Sequence, residues 1–294
     1  MKIVRQRVNG VLLLNKPVGL TSNAALQKAK WLLAALKAGH TGTLDPFADG
    51  LLPLCFGEAT KFSAFLLDSD KRYRATMRLG IVTATGDPEG EILAEHPVTA
   101  DCAAVAATLQ GFVGEIQQIP PMHSALKHQG RPLYEYARAG IEIDRPPRRV
   151  RIAALDLVEC APPRVVFDVQ CSAGTYVRTL AQDIGAALGC GAHLTGLTRT
   201  AAGDFTLAGA CDLATLESLS PDARHARLLP PDSLLEYLPR VCVDDNDATA
   251  LRQGRAIAPI ETPAGLVRLY APAGFLGLGQ ADAGRIVPHR LTAA

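Results

Sequence analysis

The sequence predicts an α/β (α+β) protein in two parts. From Gly10 to Leu219, segments with helical spacing interleave with segments that alternate every second residue. Proline-rich stretches at Leu229-Pro230-Pro231 and Leu238-Pro239-Arg240 then break the pattern, and three short apolar runs at even spacing follow. A chain of 294 residues has the length for two domains. The expected division is 1–238 and 239–294.

Gly10 to Asn15 reads as a short buried strand, closed by the turn Lys16-Pro17-Val18-Gly19. Thr21 or Ser22 supplies an N-cap for a helix carrying Ala25, Ala29, Leu32, Leu33 and Leu36 on one face, with Gly39 at the expected C-cap. His40 to Gly50 has no periodicity, two glycines and a proline, and reads as an ordered loop. A short helix is expected over Ala59 to Leu67.

Lys71 to Leu79 alternates cleanly: Tyr73, Ala75, Met77 and Leu79 share one face, Arg72, Arg74, Thr76 and Arg78 the other. Helices are expected over Asp101–Leu109 and Leu133–Ala139. Arg148–Glu159 and Arg164–Cys171 form a predicted hairpin turning at Ala161-Pro162-Pro163. A helix over Thr175–Leu188, a strand over His193–Thr200 and a helix over Asp212–Leu219 complete the first part. In the second part, a helix near Asn246–Arg252 precedes strands at Leu266–Tyr270, Phe275–Gln280 and Arg285–His289. Turns at Pro272-Ala273-Gly274 and Asp282-Ala283-Gly284 separate these strands.

Composition excludes several classes. Hydrophobic residues make up 48% and charged residues 20%, ordinary for a globular protein and wrong for a disordered one. The apolar run after the polar N-terminus is too short for a signal peptide, and no run reaches the roughly 20 residues of a membrane span. A cytoplasmic location is expected. Seven dispersed cysteines without a C-x-x-C pair argue against a disulfide framework and a zinc site, and are expected as scattered core residues. The histidines show no metal-binding spacing, and no P-loop, dinucleotide fingerprint or G-x-S-x-G occurs. The net charge of +1 gives no sign of a nucleic-acid partner, but Lys71, Arg72, Arg74 and Arg78 cluster in one segment and Arg145, Arg148, Arg149 and Arg151 in another.

Two readings stand for Asp45. An Asp before a Pro in a glycine-rich loop caps a backbone amide, but His40, Thr41, Thr43, Asp45 and Asp49 also crowd one loop, where functional side chains gather. Arg178 sits near a helix N-terminus, an end that favours anions. It is therefore expected to hold a carboxylate or a phosphate, unless it is a plain surface residue.

The run Gly39-His40-Thr41-Gly42-Thr43-Leu44-Asp45-Pro46, continuing to Gly50-Leu51-Leu52-Pro53 and Gly57-Glu58-Ala59-Thr60-Lys61, resembles the signature of the TruB family of bacterial tRNA pseudouridine synthases. Further matches follow in family order. They are Val11 to Pro17, Asp70 to Tyr73, Gln118 to Met122, Leu133 to Arg138, Gly174 to Arg178 and Gly189 to Leu194. Departures are minor: Asn15 stands where many relatives have Asp, and Asp49 carries no assigned role.

The resemblance implies the pseudouridine-synthase fold, with a central, mostly antiparallel sheet surrounded by helices, plus a small C-terminal β-rich, PUA-like RNA-binding domain. It implies isomerisation of uridine 55 in the T-loop of tRNA, without cofactor or metal. Asp45 stands at the position of the nucleophile, Tyr73 at that of the aromatic stacking on the uracil, and Arg178 at that of the arginine pairing with the aspartate. Tyr176 and Leu197 match residues lining the uracil pocket, His40 one that packs against the T-loop, and Lys16 more loosely a structural support. The implied partner is the tRNA T-arm, bound by a monomer that requires no protein partner and no membrane. The alternative is a tRNA-binding or folding chaperone whose catalysis is incidental.

Overall fold

The computed structural model describes residues 4–258, 262–282 and 284–293. Its elements follow chain order as β1 (Gly10–Lys16), α1 (Ser22–Leu32), β2 (Ala38–His40), β3 (Asp49–Phe56), α2 (Ser63–Leu67), β4 (Lys71–Leu79), β5 (Ile81–Thr83), β6 (Ile92–Glu95) and α3 (Cys102–Gly111). There follow β7 (Gly114–Gln118), β8 (Lys127–His128), β9 (Arg131–Pro132), α4 (Leu133–Arg138), β10 (Arg148–Ala161), β11 (Arg164–Cys171), α5 (Val177–Ala187) and β12 (Ala192–Ala202). After them come β13 (Phe205–Thr206), β14 (Cys211–Asp212), α6 (Leu213–Ser218), α7 (Pro221–His225), β15 (Arg240–Cys242), α8 (Asp245–Arg252), β16 (Gly265–Ala271), β17 (Gly274–Asp282) and β18 (Arg285–Leu291).

The central sheet runs β14-β1-β3-β12-β4-β11-β10-β7, with β2 added to β3 and β13 to β12. Among the described strands of this sheet only the β1–β14 and β3–β12 pairs are parallel, so the sheet is mixed and mostly antiparallel, as expected. Strands β1 and β3, between β14 and β12, are buried on both faces. Leu12, Leu14, Leu52, Leu54 and Phe56 pack on one side with α1, α5 and α6, while Val11, Leu13, Leu51 and Cys55 pack on the other with Phe62, Leu66, Leu234 and Leu235. A strand covered on both faces reads as an unbroken apolar run, which is why β3 carries no alternation. Strand β4 differs. Ala75, Met77 and Leu79 are buried, and Arg72, Arg74 and Arg78 face solvent from the opposite side.

The C-terminal part forms its own four-stranded sheet, β15-β16-β17-β18, around Val241, Leu251, Val267, Leu269, Leu276 and Ile286. Three strands were expected; β15 pairs parallel with β16 as the fourth. Ala283, at the centre of one expected turn, lies outside the described residues. Phe275 meets Phe62 edge-on at 5.5 Å, and Lys61 Nζ donates to Leu291 O at 3.0 Å, joining this part to the first.

Two expectations are corrected. Helix α1 stops at Leu32, and Ala34, with φ of 50°, makes the left-handed turn assigned to Gly39, which belongs instead to β2. Cys102 and Cys160 form a disulfide, although the cysteine spacing argued against one. The packing of α3 against β10 brings the two together across 58 residues of sequence, a proximity that spacing does not reveal. Cys55, Cys171, Cys190 and Cys211 are free and buried, as expected, and Cys242 is exposed.

Candidate active site

Residues 41–48 link β2 to β3 and are fastened at several points. Thr41 is fully buried and donates through its backbone N–H to Pro53 O at 3.1 Å. Ser22 Oγ, at the start of α1, donates to Leu44 O at 3.0 Å and accepts from Leu44 N at 2.7 Å, both within the core. Gly19 N donates to Pro46 O at 2.7 Å. Gly50 has φ of 97°, and a Cβ there would lie 2.4 Å from Arg199 O. Only glycine lets β3 run this close to β12. The loop is therefore a fixed platform that presents Asp45.

The Asp45 side chain remains one-third exposed (33%), and Arg178 Nε donates to its Oδ2 at 2.9 Å. Arg178 is almost wholly buried. Its Nη1 donates to Thr85 O at 2.9 Å and also lies 3.4 Å from Asp87 Oδ2, while Nη2 donates to His123 O at 2.7 Å. Every face of this guanidinium is engaged, so its orientation is set by three chain segments. Of the readings open for Arg178, a carboxylate partner is the one observed, and there are two of them. Burial pushes the Asp45 carboxyl above its usual value; Arg178 opposes the rise, Asp87 adds to it and Lys16 opposes it.

A cleft of about 380 Å³ opens over Asp45 and Arg178, and Tyr73, Tyr176 and Leu197 line it. Tyr73 projects from β4 on the apolar face and lies opposite Arg199 of β12 in the sheet register. Burial raises the Tyr73 phenol above its ordinary value, and Arg199 counteracts this. Tyr176 is held by Gln118, whose Nε2 donates to Tyr176 O at 3.2 Å and whose Oε1 accepts from Tyr176 N at 3.0 Å. The structure thus brings five predicted residues to one cleft.

His40 and Lys16 are not among its lining residues. His40 lies in β2 opposite Leu54, with Nδ1 buried and unpartnered, and burial together with Arg199 lowers its pKa. Lys16 is fully buried and donates to Pro17 O at 2.9 Å and Leu20 O at 2.7 Å. Burial lowers its pKa to about 8, against the pull of Asp49 and Asp45.

Sequence reasoning gave no site role to Asp87, Arg199 or Gln118, and named Ser22 only as a possible helix cap, a place that Thr21 takes. Arg199 is 1% exposed and donates from Nε to Leu51 O at 2.6 Å and from Nη2 to Gly42 O at 3.3 Å. An arginine inside a predicted strand was the available signal, since a charge at a buried strand position must have dedicated acceptors. Among the described residues, no group of three His, Cys, Asp or Glu side chains is placed to hold a metal ion, and no helix is long and apolar enough to cross a membrane.

The chain matches the profile of the TruB family pseudouridylate synthase N-terminal domain over residues 30–177. Two C-terminal profiles follow, tRNA pseudouridylate synthase B over 178–238 and pseudouridine synthase II TruB over 239–292. It is 69% identical over 294 residues to the tRNA pseudouridine synthase B of Thiobacillus denitrificans, covering 100% of this chain and 99% of that one. The chain belongs to the TruB family. A second TruB relative, the tRNA pseudouridine synthase B of Burkholderia pseudomallei strain K96243, is 56% identical over 298 residues, covering 99% of this chain and 96% of that one. Among solved structures, a chain of a Cbf5-Nop10-Gar1 complex superposes with a TM-score of 0.71 at 27% identity, covering 97% of this chain and 84% of that one. A chain of an archaeal box H/ACA sRNP Nop10-Cbf5 complex superposes at 0.72 and 25%, covering 97% and 86%. The mixed sheet with its helices and the appended β-rich part is thus the pseudouridine-synthase fold.

Proposed function

We propose that this protein isomerises uridine 55 in the T-loop of tRNA to pseudouridine, with Asp45 as the nucleophile. Family membership makes it an enzyme of pseudouridine formation in tRNA. The position in the tRNA and the roles of individual residues are the proposal. The observation that carries it is the 2.9 Å contact between Arg178 Nε and Asp45 Oδ2 at a cleft bordered by two tyrosines.

The reaction breaks the bond from ribose C1′ to uracil N1, turns the ring and joins C1′ to C5. A base inside a folded loop must first leave its stack, at a cost of a few kcal/mol. Tyr73 offers a ring against which the extruded base stacks, which offsets about 1–3 kcal/mol of that cost. Tyr176 and Leu197 close the pocket around it. The Asp45 carboxylate then attacks C1′ or removes a sugar proton to give a glycal. Either step needs it ionised, and Arg178 stabilises that form against burial. His40, beside the cleft rather than in it, is assigned to the surrounding T-loop, and Lys16 to support of the Asp45 loop.

Residues 239–294 are assigned to RNA binding and 1–238 to catalysis. A single chain suffices for both, acting in the cytoplasm without a protein subunit. The test is incubation of the wild-type protein with an unmodified tRNA transcript, followed by mapping of pseudouridine by site-specific chemical labelling. Product confined to the T-loop uridine is expected. Product at another uridine overturns the positional assignment, and tight binding without product favours an RNA-folding role.

A further inference from the structure

The two arginine clusters of the sequence do not reach the cleft as groups. Lys71 is buried and donates to Leu66 O, Leu67 O and Ser69 O at 3.0, 2.5 and 2.6 Å. Arg72, Arg74 and Arg78 leave β4 on the face opposite Tyr73, and Arg74 is paired with Asp168 at 2.8 Å. In the second cluster, Arg145 is folded onto Ile143 O, Pro120 O and Glu142. Arg149 and Arg151 alternate with buried Val150 and Ile152, so they too lie on the far face. Arg178 and Arg199 are consumed by the partners already named.

Arg148 is different. It shares the face of Val150 and Ile152, and Ile152 belongs to the core on the Tyr73 side of the sheet. In the register of β10 with β7, Arg148 lies opposite Gln118, whose side chain grips Tyr176 through two hydrogen bonds. Three residues further on, Arg151 N donates to Ser172 Oγ at 3.0 Å and Ser172 N to Arg151 O at 2.9 Å. This start of β10 is therefore fastened to the 172–176 wall of the cleft. Burial raises the Tyr176 phenol above its ordinary value, and the Ser124 hydroxyl and the charges of Arg148 and Arg178 oppose the rise. Arg148 is exposed, and among the described residues its side chain makes neither an ion pair nor a hydrogen bond.

We infer that Arg148 is a phosphate anchor of the cleft: its guanidinium holds a backbone phosphate of the RNA beside the nucleotide whose base enters past Tyr176. The inference rests on the tRNA-modifying reading above and adds a positioning residue to it. Extruding a base swings the flanking phosphates out of their helical path, and a planar fork that binds phosphate through two N–H groups fixes where they come to rest. A lysine supplies the charge without the fork.

The experiment compares Arg148→Ala, Arg148→Lys and Arg149→Ala in the full chain. KM and kcat are measured on an unmodified tRNA transcript, and Kd is measured against salt in an Asp45→Asn background that prevents turnover. Arg148→Ala is expected to raise KM and Kd roughly tenfold, the loss of one charge-assisted phosphate contact, with kcat at saturation unchanged. The slope of log Kd against log salt becomes shallower by about one unit. Arg148→Lys falls between, and Arg149→Ala, on the far face, matches the wild type. Equal effects from Arg148→Ala and Arg149→Ala, an unchanged Kd, or a loss confined to kcat each overturn the inference. If the wild type itself makes no pseudouridine in tRNA, the underlying reading falls instead.

Discussion

Arg178 Nε meets Asp45 Oδ2 at 2.9 Å while the same guanidinium lies 3.4 Å from Asp87 Oδ2, so one cation ties together carboxylates from two separate loops. The side chain is 4% exposed and its remaining donors end on the carbonyls of Thr85 and His123. This geometry makes Arg178 a rigid orienting group. A surface ion pair of the same length would contribute little.

Lysine at position 178 keeps the charge but cannot meet two carboxylates and two carbonyls from one point. Arg178→Lys is therefore expected to lower kcat by roughly 10²–10³-fold, the size of effect seen when one preorganised electrostatic contact is lost. Filter binding should find tRNA affinity close to the wild type. A variant with wild-type kcat contradicts the orienting role.

The pH dependence follows from the carboxylate pair. The proposed mechanism needs Asp45 ionised, and burial lifts its pKa above the usual value of about 4. Single-turnover rate is therefore lost as pH falls through that raised value. Asp87 is a like charge that raises it further, so Asp87→Asn moves the acid limb to lower pH. The plateau also falls, because Arg178 loses one anchor. A limb that stays in place or moves upward contradicts the coupling.

Tyr73→Leu removes the ring proposed to stack on the uracil and is expected to weaken capture of the target base by about 1–3 kcal/mol, read as a higher KM. Tyr73→Phe keeps the ring. It should bind tRNA normally and stall before product release if the hydroxyl helps remove the C5 proton. Unchanged turnover of Tyr73→Phe would leave the hydroxyl without a chemical role.

Ser22→Ala leaves both Leu44 N–H and Leu44 C=O buried without this partner. A cost of about 1–3 kcal/mol in urea unfolding is expected. Because Leu44 precedes Asp45, kcat should fall as well. An unaltered unfolding midpoint would show that Ser22 does not hold the loop.

Local signals made some of this legible before the fold was known. Lys71 to Leu79 alternates so regularly that the strand's bounds and its two faces could be read from the sequence. Arg178 stood out because a cation at a helix start conflicts with the helix dipole. Strand β3 was hidden by its burial on both faces, and Pro53 within it weakened any strand reading. Asp87, Arg199 and Gln118 were hidden for another reason: each is defined by partners 58 to 157 residues away, which only the folded sheet brings near. The same distance problem concealed the Cys102–Cys160 bond. The arginine clusters were visible in the sequence, but which of their side chains share the cleft's face was not, because neighbours along a strand alternate between its faces.

The central claim is that the Asp45 carboxylate performs the chemistry. Its most direct test is the single-turnover yield of pseudouridine at saturating tRNA for the wild type and for Asp45→Asn, each checked for folding and tRNA affinity. The account predicts no detectable product from Asp45→Asn with binding retained. Product formed by Asp45→Asn at a rate near the wild type's would contradict it.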